Sequence, residues 1–241
     1  MAALLISIVL LLPIIVKPGH SYVFGSNMIS HEEFNRAVHR AGYLVPKDET
    51  YRNFVEAITR GSFGRDEAAM LLAQMLYESG GFMIKEDLGC LRGDHCLRKY
   101  SLDKSGLPGK NYHGRGYLKV AWGANYRAAS DALGYGETLL SEPDLVTTDP
   151  RLAMLVSVWY WEQKVRPKIV HVPKSSNDDG DYNDLRPASR PRYRFGDTTR
   201  ALNPYECVRN PERAHRRWMT YIRVAESLHV SNFAEENGCY N

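Results

Sequence analysis

RDEAAMLLAQMLYESGGFMIKEDLGC, residues 65–90, is helix-like and apolar up to a glutamate, is then broken by two glycines, and reaches a second glutamate beside a cysteine. Met70, Leu71, Leu72, Met75 and Leu76 form no single stripe. A helix from about Arg65 to Ser79 that is apolar on most sides belongs at the centre of a domain. Gly80-Gly81 ends it. Glu78 sits in the last turn, where the partial negative charge of the helix end disfavours another negative group. Met75, Phe82 and Ile84 would also keep water from it, and both effects favour a protonated carboxyl. Glu86 lies past the break, beside Lys85, in a more polar stretch where it is expected to stay ionised. Two carboxylates in contrasting surroundings are what glycoside hydrolysis needs: one donates a proton and the other activates water. As a bare pair, two glutamates also fit a solvated surface.

Other helices arrange themselves around this one. Ser30-His31-Glu32-Glu33 is a capping box that opens a helix to about Arg40. Thr50 is a candidate cap for a second helix ending at Gly61. Asn125 to Leu133 reads as a helix closed by Gly134, and Asp149-Pro150 starts an apolar helix through Trp161. Asn210-Pro211-Glu212 opens the last long helix, to about Leu228. Residues 101–113 read as a loop, and 166–198 as a long irregular insertion. Strand signals are few, so the fold class is mainly α.

The chain has 241 residues, 44% of them hydrophobic and 24% charged, which suits one globular domain. Its 31 basic and 28 acidic side chains give a net charge of +3. That balance does not point to nucleic acid. Residues 1–16, MAALLISIVLLLPIIV, are apolar and short for a membrane span, and Gly19-His20-Ser21 offers small residues where signal peptidase needs them. The expectation is a signal peptide over 1–21, a mature domain over 22–241, secretion, and no membrane contact after cleavage. The cysteines are Cys90, Cys96, Cys207 and Cys239, an even count for such a chain. Proximity favours Cys90–Cys96 and Cys207–Cys239 among three possible pairings. The spacings match no zinc pattern. No phosphate loop or dinucleotide fingerprint occurs, so no metal and no cofactor is expected.

AAMLLAQMLYESGG (68–81), KEDLGC (85–90), YHGRGYLKVAWGANY (112–126), PDLVTTDPRLAMLVSVWYWEQ (143–163) and RFGDTTRALN (194–203) together resemble the family 19 glycoside hydrolases, the plant-type chitinases, in the order that family shows. The resemblance covers residues 28–239. It implies a mainly α, lysozyme-like, two-lobed domain with a substrate cleft, of the compact, loop-poor type. It implies Glu78 as general acid and Glu86 as general base, with Asp87 the alternative base. Inversion at the anomeric carbon would follow, and the water between the carboxyl groups would need them about 6.5–9.5 Å apart. The implied substrate-binding positions are Tyr112, Lys119, Trp122, Asn125 and Asn203. The implied supporting positions are Arg217, which would contact the acid, Glu206 as its partner, and Ala121. The two favoured cysteine pairs match disulfides of the family. The partner would be chitin or a related N-acetylglucosamine polymer, bound by a monomer.

The chain also departs from the family pattern. Tyr77 replaces a histidine before the acid, and His113 replaces the second tyrosine before Gly114-Arg115-Gly116. Lys119 stands where a glutamine is usual, and puts a cation near Glu78. Ala121 replaces a hydroxyl that helps to hold the water. Pro204-Tyr205 replaces glycines after Asn203. Trp159 and Trp161 are expected in the core, and Arg115 in a structural ion pair. An endo-chitinase is the first expectation. The alternatives are a catalytically weakened relative that binds chitin, and a muramidase-like enzyme acting on peptidoglycan.

Overall fold

A computed structural model describes residues 29–91, 94–169 and 193–240, the side chains of 91–97 excepted. The expected leader over 1–21 and the middle of the 166–198 insertion lie outside these residues. Among the described residues the chain is helical, with three isolated β-bridges and no strand.

The central helix spans Arg65–Ser79 and is buried at every position from Glu67 to Leu76. Burial of Leu71, Leu72, Met75 and Leu76 contributes roughly 1.5–3 kcal/mol for each side chain. The last helix, Pro211–Ser227, packs along it, and the first, His31–Arg40, packs on the last. The first helix opens on the expected capping box: Glu33 N–H donates to Ser30 Oγ at 3.2 Å, and Ser30 N–H donates to Glu33 Oε2 at 2.8 Å. The second helix begins at Asp48 rather than after Thr50, and no side chain caps it. Asp48 and Glu49 in its first turn instead complement the positive helix end.

Pro150–Tyr160 is a partition between two cores. Asp149 caps it by accepting from the N–H groups of Arg151 and Leu152 at 2.8 and 3.0 Å. Ala153, Met154, Leu155 and Val158 join the larger core around the central helix. Leu152, Val156 and Trp159 join a smaller core built on Tyr112, Tyr126, Leu139 and Leu140. Each core is the centre of one lobe. Trp161 is fully buried and donates from Nε1 to Glu67 at 2.8 Å. The helix then widens into a π-helical turn, Trp161–Val165, before a last turn, Arg166–Ile169. Phe195–Leu202 is a further helix. The segment read as irregular is therefore helical at both ends. Pro and polar residues in the middle of 166–198 hide the apolar spacing of Val165 and Ile169, which enter the larger core together with Phe195.

The C-terminal tail closes on the start of that helix. Phe195 N–H donates to Glu235 O at 2.7 Å and Gly196 N–H to Asn237 O at 3.0 Å. The Cys207–Cys239 disulfide anchors the tail. Cys90 is disulfide-bonded as well; its expected partner, the Cys96 side chain, lies outside the described residues.

Candidate active site

A cavity of about 330 Å³ gathers residues from four parts of the chain. The central helix gives Glu78. The segment after the glycine break gives Ile84, Glu86 and Asp87. The following turn gives Leu118 and Lys119, and the C-terminal third gives Leu202, Asn203 and Arg213.

The glycine break sets the path between the two glutamates. Gly80, Gly81 and Phe82 all have left-handed backbone, with φ of 57°, 72° and 69°. A Cβ on Gly81 would come within 2.6 Å of Tyr43 Cβ. Phe82 carries the strain of its conformation because its ring is buried against Phe34 and, edge-on, against Tyr117 at 5.0 Å. Ser79 Oγ donates to Met75 O at 2.6 Å and accepts from Phe82 N–H at 2.8 Å. The chain then runs alongside the Gly114–Val120 turn. Asp87 N–H donates to Gly114 O, and Gly116 N–H to Lys85 O, each at 2.9 Å.

Glu78 is held by a buried cation. Arg217 is 1% exposed and donates from Nη2 to Glu78 Oε1 at 2.6 Å. Its Nε donates to Glu206 Oε2 at 2.6 Å, its Nη2 to Glu206 Oε1 at 3.0 Å, and its Nη1 to Gln74 Oε1 at 2.8 Å. Burial opposes the arginine's charge, but Glu78 and Glu206 outweigh it and push its pKa further up. The Tyr77 ring lies 4.3 Å from the guanidinium carbon, a cation–π platform in place of an imidazole. Asn203 Nδ2 donates to Glu206 Oε1 at 3.1 Å. Arg213 hydrogen-bonds Tyr77 and lies 3.4 Å from Glu206.

Glu86 has a different partner. Its Oε1 lies 2.5 Å from His113 Nε2, and His113 Nδ1 lies 2.8 Å from Asn111 Oδ1. Lys119 has a left-handed backbone, φ 53°, and its Nζ donates to the Ile84 carbonyl and, at 3.5 Å, to Gly116 O. Burial lowers its pKa to about 8, against the pull of Glu78, Asp87 and Glu86. Its ammonium thus staples the Glu86 segment to the neighbouring turn.

Glu78, Glu86, Lys119 and Asn203 line one cavity, and Arg217 and Glu206 sit behind Glu78. Trp122 and Asn125 lie at the start of the Gly123–Ala132 helix, outside the cavity lining. Trp122 is 42% exposed and meets Tyr100 edge-on at 4.9 Å. Asn125 Nδ2 donates to Ala121 O at 2.8 Å, and Ala121 offers no side-chain hydrogen bond. Tyr112 is a correction. It is 1% exposed, its hydroxyl donates to Leu140 O and accepts from Leu107 N–H, both at 2.9 Å, and Gly106 covers its ring so closely that a Cβ there would come within 1.9 Å. Its ring belongs to the smaller core and has no face for a sugar. Arg115 makes the expected structural pair, with Asp144 at 2.6 Å.

Arg213 in the cavity lining, and Gln74, Asn111 and His113 behind it, are partners of the site that escaped the sequence reading. Gln74 is buried one turn before Glu78, and its Nε2 donates to Thr198 and Thr199 at 2.7 and 3.0 Å. A polar side chain inside an apolar helix, four residues before a key carboxylate, was its signal. Asn111 and Arg213 had none. His113 was visible as a departure from the family pattern, but its contact with Glu86 was not.

Two lobes and a cleft holding two glutamates define a lysozyme-like helical fold. The profile of glycoside hydrolase family 19, described as chitinase class I, matches residues 44–237, and the chain belongs to that family. It is 32% identical over 173 residues to an endochitinase of Arabidopsis thaliana, covering 71% of this chain and 51% of the relative. It is 34% identical over 126 residues to an inactive endochitinase of the same plant, covering 50% of this chain and 44% of the relative. The chain thus spans about half the length of these relatives. Among solved structures, the class IV chitinase of this family from Zea mays superposes with a TM-score of 0.60 at 21% identity, over 85% of this chain and 94% of that one.

Proposed function

We propose that the protein is a secreted endo-chitinase that hydrolyses β-1,4 linkages between N-acetylglucosamine units with inversion. The observation that carries this reading is the unlike pair in one cavity: Glu78 tied to a buried arginine and Glu86 tied to a histidine. Glu78 acts as general acid. Arg217 engages Oε1, so the proton is delivered from Oε2 to the glycosidic oxygen as the bond to the anomeric carbon breaks. Glu86 acts as general base. It takes a proton from a water that attacks the same carbon from the opposite face of the sugar. Asn203 and Lys119 bind the sugar next to the carboxylates. Trp122 and Asn125 extend the binding surface along the polymer.

A second reading is a chitin-binding relative with weakened catalysis. Two observations favour it: the Lys119 ammonium is committed to backbone carbonyls, and Ala121 supplies no hydroxyl to the water. One experiment separates the two. The purified protein and its Glu78→Gln variant are incubated with N-acetylglucosamine hexamer and, separately, with insoluble chitin. Hexamer cleavage that the variant loses while still binding chitin supports the enzyme. Equal chitin binding with no cleavage by either protein supports the binding protein. Lysis of bacterial walls without hexamer cleavage would point to a muramidase.

A further inference from the structure

The contact between Glu86 and His113 contains more than a distance. Asn111 Oδ1 accepts the backbone N–H of His113 at 3.1 Å, which fixes which end of the amide faces the histidine. The same oxygen lies 2.8 Å from His113 Nδ1. A carbonyl oxygen only accepts, so Nδ1 carries a hydrogen. In a neutral ring Nε2 is then a bare lone pair, and it lies 2.5 Å from a carboxylate oxygen. Two acceptors do not approach so closely without a proton between them. The loop that holds His113 is braced. Tyr126 O–H donates to His113 O at 2.9 Å, and Arg115 Nη1 donates to Asn111 O at 2.9 Å and to Tyr126 Oη at 3.1 Å. Both His113 and Tyr126 are buried.

We propose that His113 is a positioning residue for the base: it shares one proton with Glu86, which holds the carboxylate by Oε1 and directs Oε2 at the attacking water. This rests on reading Glu86 as the base. The shared proton is neither consumed nor released in the reaction. Oε2 gains the proton of the water as the new C–O bond forms, and later returns it to solvent. The pair is faced by Arg115 and Asp144 on the histidine side, by Lys119 on the glutamate side, and by Tyr126 across the loop. Burial and Arg115 pull the histidine's pKa below its ordinary value and outweigh Glu86. The shared proton therefore leaves at a pH below the usual histidine value of about 6.5.

The test uses His113→Ala and His113→Gln, the second keeping a hydrogen-bond donor that cannot titrate. His113→Ala is expected to lower kcat about 10–100-fold, the range for a lost hydrogen bond to a charged group, with KM nearly unchanged. His113→Gln is expected to recover most of kcat and to lose the decline of kcat/KM with rising pH that the proposal predicts for the native protein. Native kinetics and a native pH profile in His113→Ala would overturn the proposal. The second readout needs no activity: the ring resonances of His113 are followed by NMR against pH in the native protein and in Glu86→Gln. A His113 titration that moves when Glu86 is neutralised supports the shared proton, and one that stays put overturns it. If hexamer is left intact by the native protein while the titration depends on Glu86, the base reading falls and the shared proton stands. If hexamer is cleaved in a Glu78-dependent way while His113 titrates alone, the shared proton falls and the hydrolase reading stands.

Discussion

Arg217 is the cation on which one wall of the cleft is organised. It is nearly inaccessible, and two carboxylates and an amide oxygen converge on it. Arg217→Met would leave the buried Glu206 without its main counter-ion. The expected loss is about 3–5 kcal/mol of stability, as for other broken buried pairs, and urea unfolding at neutral pH measures it. Lys119 makes a prediction of opposite character. Its folded pKa, about 8, lies below the unfolded value of 10.5, so the unfolded chain binds the extra proton between those limits. The burial cost is complete below pH 8 and is relieved as pH rises towards 10.5. Stability of the native protein relative to Lys119→Gln should therefore rise between pH 8 and 10.5, which urea midpoints of both proteins across that interval would show. At this scale the sequence was legible where a residue type carries its own chemistry, as for Glu78 and Glu86, and the family resemblance pointed to Asn203, Glu206 and Arg217, which lie at the same site. The sequence was silent where contact is made by remote packing. Nothing local to Tyr112 says that Leu140, 28 residues on, accepts its hydroxyl hydrogen. The residues around Glu78 gave it apolar surroundings; its guanidinium partner, 139 residues away, was implied by the family resemblance alone.

The element that connects the chemistry to the fold is the turn after the central helix. Three successive left-handed residues reverse the chain between Glu78 and Glu86. Gly81→Ala forces a side chain into the left-handed region, which costs about 1–2 kcal/mol, and against Tyr43 as well. The expected outcome is a lower unfolding midpoint together with a fall in kcat larger than any change in KM, because Glu86 lies downstream of the displaced turn. The tail is a second such element. Replacing both Cys207 and Cys239 by serine opens a 32-residue connection and should cost about 3–4 kcal/mol by chain entropy; urea unfolding of the variant measures it. Helix ends were legible wherever the capping chemistry is local, as at Ser30, Asp149 and Asn210. They were misread at Asp48, where no side chain caps, and over Phe195–Leu202, which is fixed by tail contacts some 40 residues away rather than by its own periodicity.

At the scale of the whole molecule, the fold is two helical cores sharing one partition helix, with the cleft carboxylates brought together from the central helix and the segment after its glycine break. The central helix was legible because a helix apolar on most sides has few places to go other than the middle of a domain. The second lobe was not, because its core draws on short helices and loops between residues 107 and 146 that lack a sustained period. The central claim is that Glu78 gives the proton and Glu86 takes it from a water that inverts the anomeric carbon. The most direct measurement is time-resolved proton NMR of N-acetylglucosamine hexamer with the native protein, Glu78→Gln and Glu86→Gln. The account predicts that the first new reducing ends are α-anomers that later mutarotate, and that either substitution lowers their rate by at least about 100-fold. First-formed β-anomers, or α-anomers made at the native rate by either variant, would contradict it.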